Sequence, residues 1–504
     1  MTKRKTAILR SSTKLHKWLG WTGGLALLFF AISGMTHPLM TWTGPKAASF
    51  FPPQVKISSE HAAQIPKILQ HNAIDSAIMV KIIPSKEGAL LQVTQSNEVP
   101  RRYFDLTTGT EKLNYDMKQA VWLARYYSGL KSTPIKTINF QTEFSSAYPW
   151  VNRLLPVYRV EFETSDNKTT FIYTELGALA GMTNNWKTSV QTIFRTFHSW
   201  AWLDDFEYAR IILMMLLLLS LLGMAITGIA LIFMIKKRSI PDDRRKWHRV
   251  LSFAIWLPLL FFTASGIYHL LQYSFGDNHR GLKLGQPIDL SASRFGENLA
   301  WLDEFKGKAF NSLSLVEGIT NGAKTPSLLY RISIPKGKPG QAVSRSKRFK
   351  GMATEKQSYY FDALTGEKAK LNDKELNDKD MALYIAKTQF GFSMEQLQQT
   401  KLVTHFGPHY DFRNKRLPVW RLDFNTPKGD KLFIDPATGM LVDRLVNLER
   451  YEGYSFSFLH KWNFLAPLIG REKRDIVISV ILIAAIGFTV LGYLMLFKRR
   501  RSSS

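Results

Sequence analysis

The chain has 504 residues, enough for two to four ordinary domains, and its 67 Lys and Arg against 40 Asp and Glu leave a formal charge of +27. A chain so basic suits nucleic acid or a membrane surface, but its apolar residues gather in four blocks, which selects the membrane and excludes nucleic acid. Cysteine is absent, so disulfides, iron–sulfur clusters, zinc–thiolate sites and thiol-attached haem are excluded and any metal must be held by His, Met or carboxylate.

Residues 1–17 form a basic tail carrying Lys3, Arg4, Lys5, Arg10, Lys14 and Lys17. The apolar block 18–40 follows it as a signal peptide would, yet the block is long and a copy recurs in mid-chain, so it is expected to be a retained helix. A large polar segment, 41–209, leads to a second span at 210–235. The short connection 236–249 holds seven basic and two acidic residues, and a third span covers 250–271. A second large segment, 272–475, precedes a fourth span at 476–497 and a tail, 498–504, with Lys498, Arg499, Arg500 and Arg501. Charge-free runs such as Ile211–Ile235 and Ile476–Phe497 exceed 20 residues, the length a helix needs to cross a bilayer. Seventeen basic and two acidic residues lie in the two tails and the short connection. The positive-inside rule therefore places both termini and the connection in the cytoplasm. The two large segments fall on the opposite face, in a bacterium the periplasm or exterior.

The chain repeats itself. His16–His37 aligns without gaps on His248–His269 with ten of 22 positions identical, including Ser33-Gly34 and Ser265-Gly266. Leu155–Phe162 matches Leu417–Phe424, and His198-Ser-Trp200 falls on His460-Lys-Trp462 at the same offset of 262. Each half reads helix, external segment, His-Trp, helix, and the two run in the same direction, which implies a pseudo-two-fold axis along the membrane normal. Within the external segments, Phe104–Gly109, Phe361–Gly366 and Phe433–Gly439 carry hairpin signals, an Asp able to bond its own backbone ahead of a Gly suited to positive φ. Met117–Tyr127 and Lys379–Phe390 read as amphipathic helices. The expected fold is an internally duplicated α-helical membrane bundle of four transmembrane helices plus two external α+β domains. Arg345, Lys347, Arg348 and Lys350 mark a solvated, mobile loop.

These features resemble the PepSY-associated transmembrane helix family, whose members pair periplasmic PepSY domains with His-bearing membrane helices and include inner-membrane ferric-siderophore reductases. The Ser-Gly-x-x-His helices, the Asp-x-x-Thr-Gly hairpins and the His-Trp segments carry the resemblance over most of the chain. It implies two periplasmic PepSY-like domains, b-type haem in the membrane, and reduction of ferric chelates outside.

Six of the eleven histidines occupy matched positions: His16 with His248, His37 with His269, and His198 with His460. An ionisable group in or beside a membrane helix is costly and marks a functional candidate. Twenty-one residues at 1.5 Å rise separate His16 from His37 by about 31 Å, roughly the hydrocarbon thickness. A two-fold axis then sets His16 opposite His248 on the cytoplasmic side and His37 opposite His269 outside. Facing neutral imidazoles suit bis-His haem ligation, which suggests two haems, and Gly34 and Gly266 would leave room for a porphyrin. His198 and His460, among interfacial tryptophans, are alternative outer ligands, pairing as His37 with His198 or His37 with His460 and their symmetry mates. His405 and His409 flank Gly407 and Pro408, which prevents the regular helix of a zinc-protease motif. No glycine fingerprint for flavin or NAD(P) is present, so electrons must come from a quinol or a separate reductase.

The leading function is a transmembrane haem oxidoreductase reducing an external ferric siderophore. Two alternatives compete with it: a non-redox module that binds or regulates a periplasmic peptide-processing partner, and a small secondary transporter with His as proton or copper sites.

Overall fold

Each apolar block folds as a long helix, and each helix runs past its block into the flanking charged residues. The four are Lys3–Thr43, Glu207–Met234, Asp243–Phe275 and Arg471–Arg501. All are long and apolar enough to cross a membrane. Lys and Arg are good helix formers, so the tail expected to stand apart before residue 18 continues the first helix back to Lys3. The third begins where the Asp242 side chain accepts the Arg244 backbone N–H at 3.0 Å. This computed structural model describes residues 3–235, 242–283, 285–308, 310–321, 325–335, 356–407 and 409–501. The basic run at 345–350, the start of the short basic connection, and Pro408 lie outside the described residues.

The chain divides into two units, each built from both halves of the sequence. Met1–Gly44, Trp186–Asn278 and Leu448–Ser504 form the helical unit, and Pro45–Asn185 and His279–Asn447 form the sheet unit. In the helical unit the second and fourth long helices each pack against both the first and the third. Neighbours are antiparallel: His16 lies level with Met224 and Thr227, while Ser33 lies level with His198. Small residues let the backbones approach, with Ala26, Ala31, Ala225 and Ala485 buried beside Leu221, Ile255, Leu259 and Phe488. Ile212, Leu216, Ile226, Phe253, Val480 and Ile483 stand exposed on the outer surface. So broad an apolar surface fits contact with lipid.

Expected as separate domains in 41–209 and 272–475, the two large segments instead share one sheet. Its six antiparallel strands run in the order Lys356–Asp362, Ser327–Pro335, Ser312–Gly318, Met79–Ser85, Gly88–Thr94, Arg102–Asp105. The seam is Ser314 opposite Lys81 and Leu315 opposite Val80. Each half thus contributes a three-stranded piece whose open edge the other half closes. Residues 186–209, 272–278 and 448–475, placed in those domains from sequence, belong to the helical unit.

The hairpin signals take their expected form. Asp105 Oδ1 accepts the N–H of Thr107 and Thr108, Asp362 Oδ1 those of Leu364 and Thr365, and Gly109 and Gly366 follow at φ 72° and 75°.

Each half also has a four-stranded antiparallel sheet under one helix. Tyr115–Ser128 lies on Ile135–Gln141, Val157–Phe162, Thr169–Tyr173 and Ala178–Thr183; Asp378–Thr388 lies on Leu397–Val403, Val419–Phe424, Lys431–Asp435 and Met440–Leu445. The cores correspond residue for residue at an offset of 262: Ala120, Leu123, Ala124, Val160, Phe162 and Ile172 against Ala382, Ile385, Ala386, Leu422, Phe424 and Ile434. Tyr103 donates to Asp116 and Tyr360 to Asp378, both at 2.6 Å, which ties the shared sheet to the start of each helix.

A buried charge cluster joins the three sheets. Glu175, 1 % exposed, bonds both Lys81 and Arg416, and Arg416 also donates to Asp435 at 2.9 Å. Burial alone would raise the Glu175 carboxyl, but the Arg416 guanidinium and Lys81 ammonium hold it down at about 2. Burial pushes the Lys81 ammonium down despite Glu175, so the Arg416–Glu175 pair is the firmer half of the cluster.

Candidate functional site

Two histidine pairs form inside the helical unit. His16 of the first long helix meets His248 of the third, with ring centroids 6.5 Å apart and planes at 81°. His198, directly after the helix Asn185–Phe197, and His460, the last residue of Phe456–His460, meet at 6.3 Å and 80°. Each of these segments breaks at a tryptophan two residues later. Trp200 and Trp462 adopt left-handed φ of 54° and 48°, a conformation that costs a non-glycine residue about 1–2 kcal/mol. Their indoles donate back to the carbonyls of Phe197 and Leu459 at 3.1 and 2.9 Å, which holds the break directly after each His.

The hydrogen bonds around the rings assign their tautomers. His16 Nδ1 lies 3.1 Å from the Met224 carbonyl, which can only accept, so Nδ1 carries the proton. His198 Nδ1 lies 3.0 Å from Ser33 Oγ, and His460 Nδ1 lies 3.2 Å from Ser265 Oγ. Both hydroxyls already donate to carbonyls one turn back, Ser33 to Phe29 and Ser265 to Phe261. Each therefore accepts from Nδ1–H. In these three rings Nε2 keeps its lone pair, the state a metal-binding imidazole needs. Stacked phenylalanines hold the rings from the side: Phe194 on His198 and Phe456 on His460, both at 4.6 Å, and Phe488 on His248 at 4.3 Å.

The pair spacing fits one metal ion between two imidazoles. Two nitrogen–metal bonds of about 2.0–2.1 Å, with about 1.2 Å from each nitrogen to its ring centre, give about 6.5 Å between centroids. Among the described residues no three His, Asp or Glu side chains converge to hold a metal ion. A pair suits a metal whose remaining ligands arrive with it, as in a haem macrocycle.

Glycines stand beside the pairs. A Cβ on Gly228 would sit 3.2 Å from His16 Cε1, and one on Gly492 would sit 3.6 Å from His248 Nε2. A Cβ on Gly34 would come 3.8 Å from His198 Cε1, and one on Gly266 would come 3.9 Å from Leu218. Gly34, Gly228 and Gly492 thus each border a histidine ring, where a side chain would press on the imidazole, whereas Gly266 borders Leu218.

The expected inner pair, His16 with His248, is brought together. The outer pairing differs from all three expected combinations, because His198 meets His460. His269 instead bonds the Glu452 carboxylate at 2.6 Å and stacks on Phe456 at 4.4 Å, on which His460 also stacks. His37 lies on an exposed position of the first helix.

Sequence reasoning passed over Ser33, Ser265, Gly228 and Gly492. The two serines stand inside the Ser-Gly-x-x-His motif, whose repeated signal is its Gly and His. The two glycines lie outside the matched segments, and only the packed bundle sets them beside a histidine.

A family model described as a PepSY-associated TM region matches residues 126–500, which include His198, His248, His269 and His460. No curated protein matches the chain.

Proposed function

Because this chain belongs to the PepSY-associated TM family, we propose that it is a transmembrane b-type haem oxidoreductase. It takes electrons from a quinol or a separate reductase on the cytoplasmic side and delivers them to a periplasmic acceptor, a ferric siderophore. The observation that carries the reading is the pair of histidine couples at 6.5 and 6.3 Å with near-perpendicular planes.

His16 and His248 would hold one haem, and His198 and His460 the other. Bound there, haem supplies one-electron redox chemistry. The residues of the chain do the rest. Met224 fixes the His16 tautomer, and Ser33 and Ser265 fix those of His198 and His460. The phenylalanine stacks keep the rings from turning, and the apolar helix surfaces exclude water. His198 lies level with Ser33, 17 residues above His16 along the first helix. At 1.5 Å rise the two couples are thus about 26 Å apart along the helix axis. We place the protein in a bacterial inner membrane with both termini cytoplasmic and the sheet unit, an internally duplicated PepSY-like assembly, in the periplasm. The positive-inside charge distribution supports that orientation.

The test is vectorial. The protein is placed in sealed vesicles with a ferric chelate and a ferrous-specific chromophore on the side of the sheet unit, and a quinol is supplied in the membrane. The expected result is ferrous colour that depends on the protein and disappears in His198→Ala and His16→Ala. Equal rates with wild type and both variants would contradict it.

A further inference from the structure

We propose that Ser33 and Ser265 are positioning residues that orient the outer histidines and set the reduction potential of the haem between them. The inference rests on the haem reading and goes beyond it by assigning a tuning role to two side chains that touch neither iron nor acceptor. Both are buried, at 0 % and 1 % exposure. A serine inside a membrane helix ordinarily satisfies itself by donating to the carbonyl one turn back, and both do so, Ser33 to Phe29 and Ser265 to Phe261. That bond alone would need no partner elsewhere. Each oxygen also meets a histidine from a distant segment, Ser33 with His198 at 3.0 Å and Ser265 with His460 at 3.2 Å. The same construction at matched positions of the two halves argues against incidental contact.

The chemistry follows from the direction of the bonds. The serine proton is committed to a carbonyl, so the serine oxygen accepts the imidazole Nδ1–H. An accepted Nδ1–H makes the opposite nitrogen a better donor to a metal and favours the ferric over the ferrous state. The bond also fixes how each ring is turned. Ser33 Oγ holds one edge of His198 while Phe194 stacks on its face and Phe30 meets it edge-on at 5.7 Å. His460 is held in the same way by Ser265, Phe456 and Phe262 at 5.6 Å. These contacts oppose rotation of either ring away from the 80° between their planes. Near-perpendicular axial imidazoles give a ferric low-spin electron paramagnetic resonance spectrum dominated by one low-field line.

The experiment compares purified full-length wild type, Ser33→Ala, Ser265→Ala, the double Ala variant, and Ser33→Thr with Ser265→Thr, which keeps both hydroxyls. Haem content, the resonance spectrum and a redox titration are recorded for each. The Ala changes remove one oxygen and leave the helix carbonyls paired within their helices, so folding is retained. Loss of a partner beyond the ligands is worth about 10–100-fold. The expected result is a shift of about tenfold toward the ferrous state in the double Ala variant, about 59 mV upward for a one-electron couple. The low-field line should move, and the Thr variant should restore both. Loss of one haem in the double Ala variant that Thr restores supports the same assignment. An unchanged spectrum and midpoint in the double Ala variant would overturn it, as would a haem loss that Thr does not restore. A wild-type protein without haem would instead defeat the function proposed above, and this inference with it.

Discussion

Replacing any one of His16, His248, His198 or His460 by Ala is expected to remove one haem per chain and leave the other in place. A haem held between two imidazoles keeps only one axial bond after such a change. Outer-shell partners of metal ligands alone cost about 10–100-fold in affinity, so loss of a direct ligand should cost more. The couples sit on separate levels of the bundle, so the effects should be local. His16→Ala with His248→Ala should lose no more than either alone, whereas His16→Ala with His198→Ala should lose both haems. His37→Ala and His269→Ala should keep the full complement, because His269 is engaged with Glu452 and Phe456 rather than with another histidine. Haem per chain, measured on purified variants, decides the matter. Full content in all four couple variants would remove the ligand assignment, and loss in His37→Ala or His269→Ala would move the outer site to those residues.

The second large effect concerns stability rather than haem. Glu175→Gln should destabilise the sheet unit by about 3–5 kcal/mol, the usual result of removing one partner from a buried ion pair. That is a fifth or more of the roughly 5–15 kcal/mol by which a domain is stable. The reason is that Arg416 and Lys81 would remain buried without the carboxylate that both of them bond. Asp435 would still pair with Arg416, which favours the lower end of the range. The same group predicts a pH dependence. Its carboxyl is held at about 2 when folded against about 4.3 when unfolded. The stabilisation is therefore complete above about pH 4.3 and is lost as pH falls toward 2. Thermal melting or protease sensitivity of the sheet unit, in wild type and Glu175→Gln across pH 2–7, reads both. A shallower loss of stability toward acid pH in the variant than in wild type is expected, because the other depressed carboxylates of the sheet unit, such as Asp378 and Asp423, still titrate. Equal melting of the two at neutral pH would show that the cluster contributes nothing.

Much of the architecture was legible before the structure. The four spans announce themselves because a helix that crosses a bilayer needs about 20 predominantly apolar residues in a row. The Asp-to-Gly turns at 105–109 and 362–366 do so because both the side-chain bonds and the positive φ are local. The sharing of one sheet was not legible. Nothing in the residues of Met79–Ser85 and Ser312–Gly318 names the neighbour across an open edge.

The candidate site divides along the same line. Duplication singled out six histidines, and helix rise placed His16 and His37 at opposite ends of one span. Spacing along a helix says nothing about how a neighbouring segment packs, so the descent of His198 and His460 to the level of Ser33 and Ser265 could not be seen. Their positions ahead of the second and fourth spans favoured an interfacial reading. Two left-handed tryptophans, a conformation that residue type does not advertise, place the chain breaks immediately after them.

The most direct test of the central claim is an absorption spectrum of the purified full-length protein before and after dithionite, with extracted haem counted per chain. Two non-covalently held b-type haems are predicted, six-coordinate in both oxidation states, with sharp α and β bands on reduction. A folded, colourless protein that takes up no added haem would contradict the account.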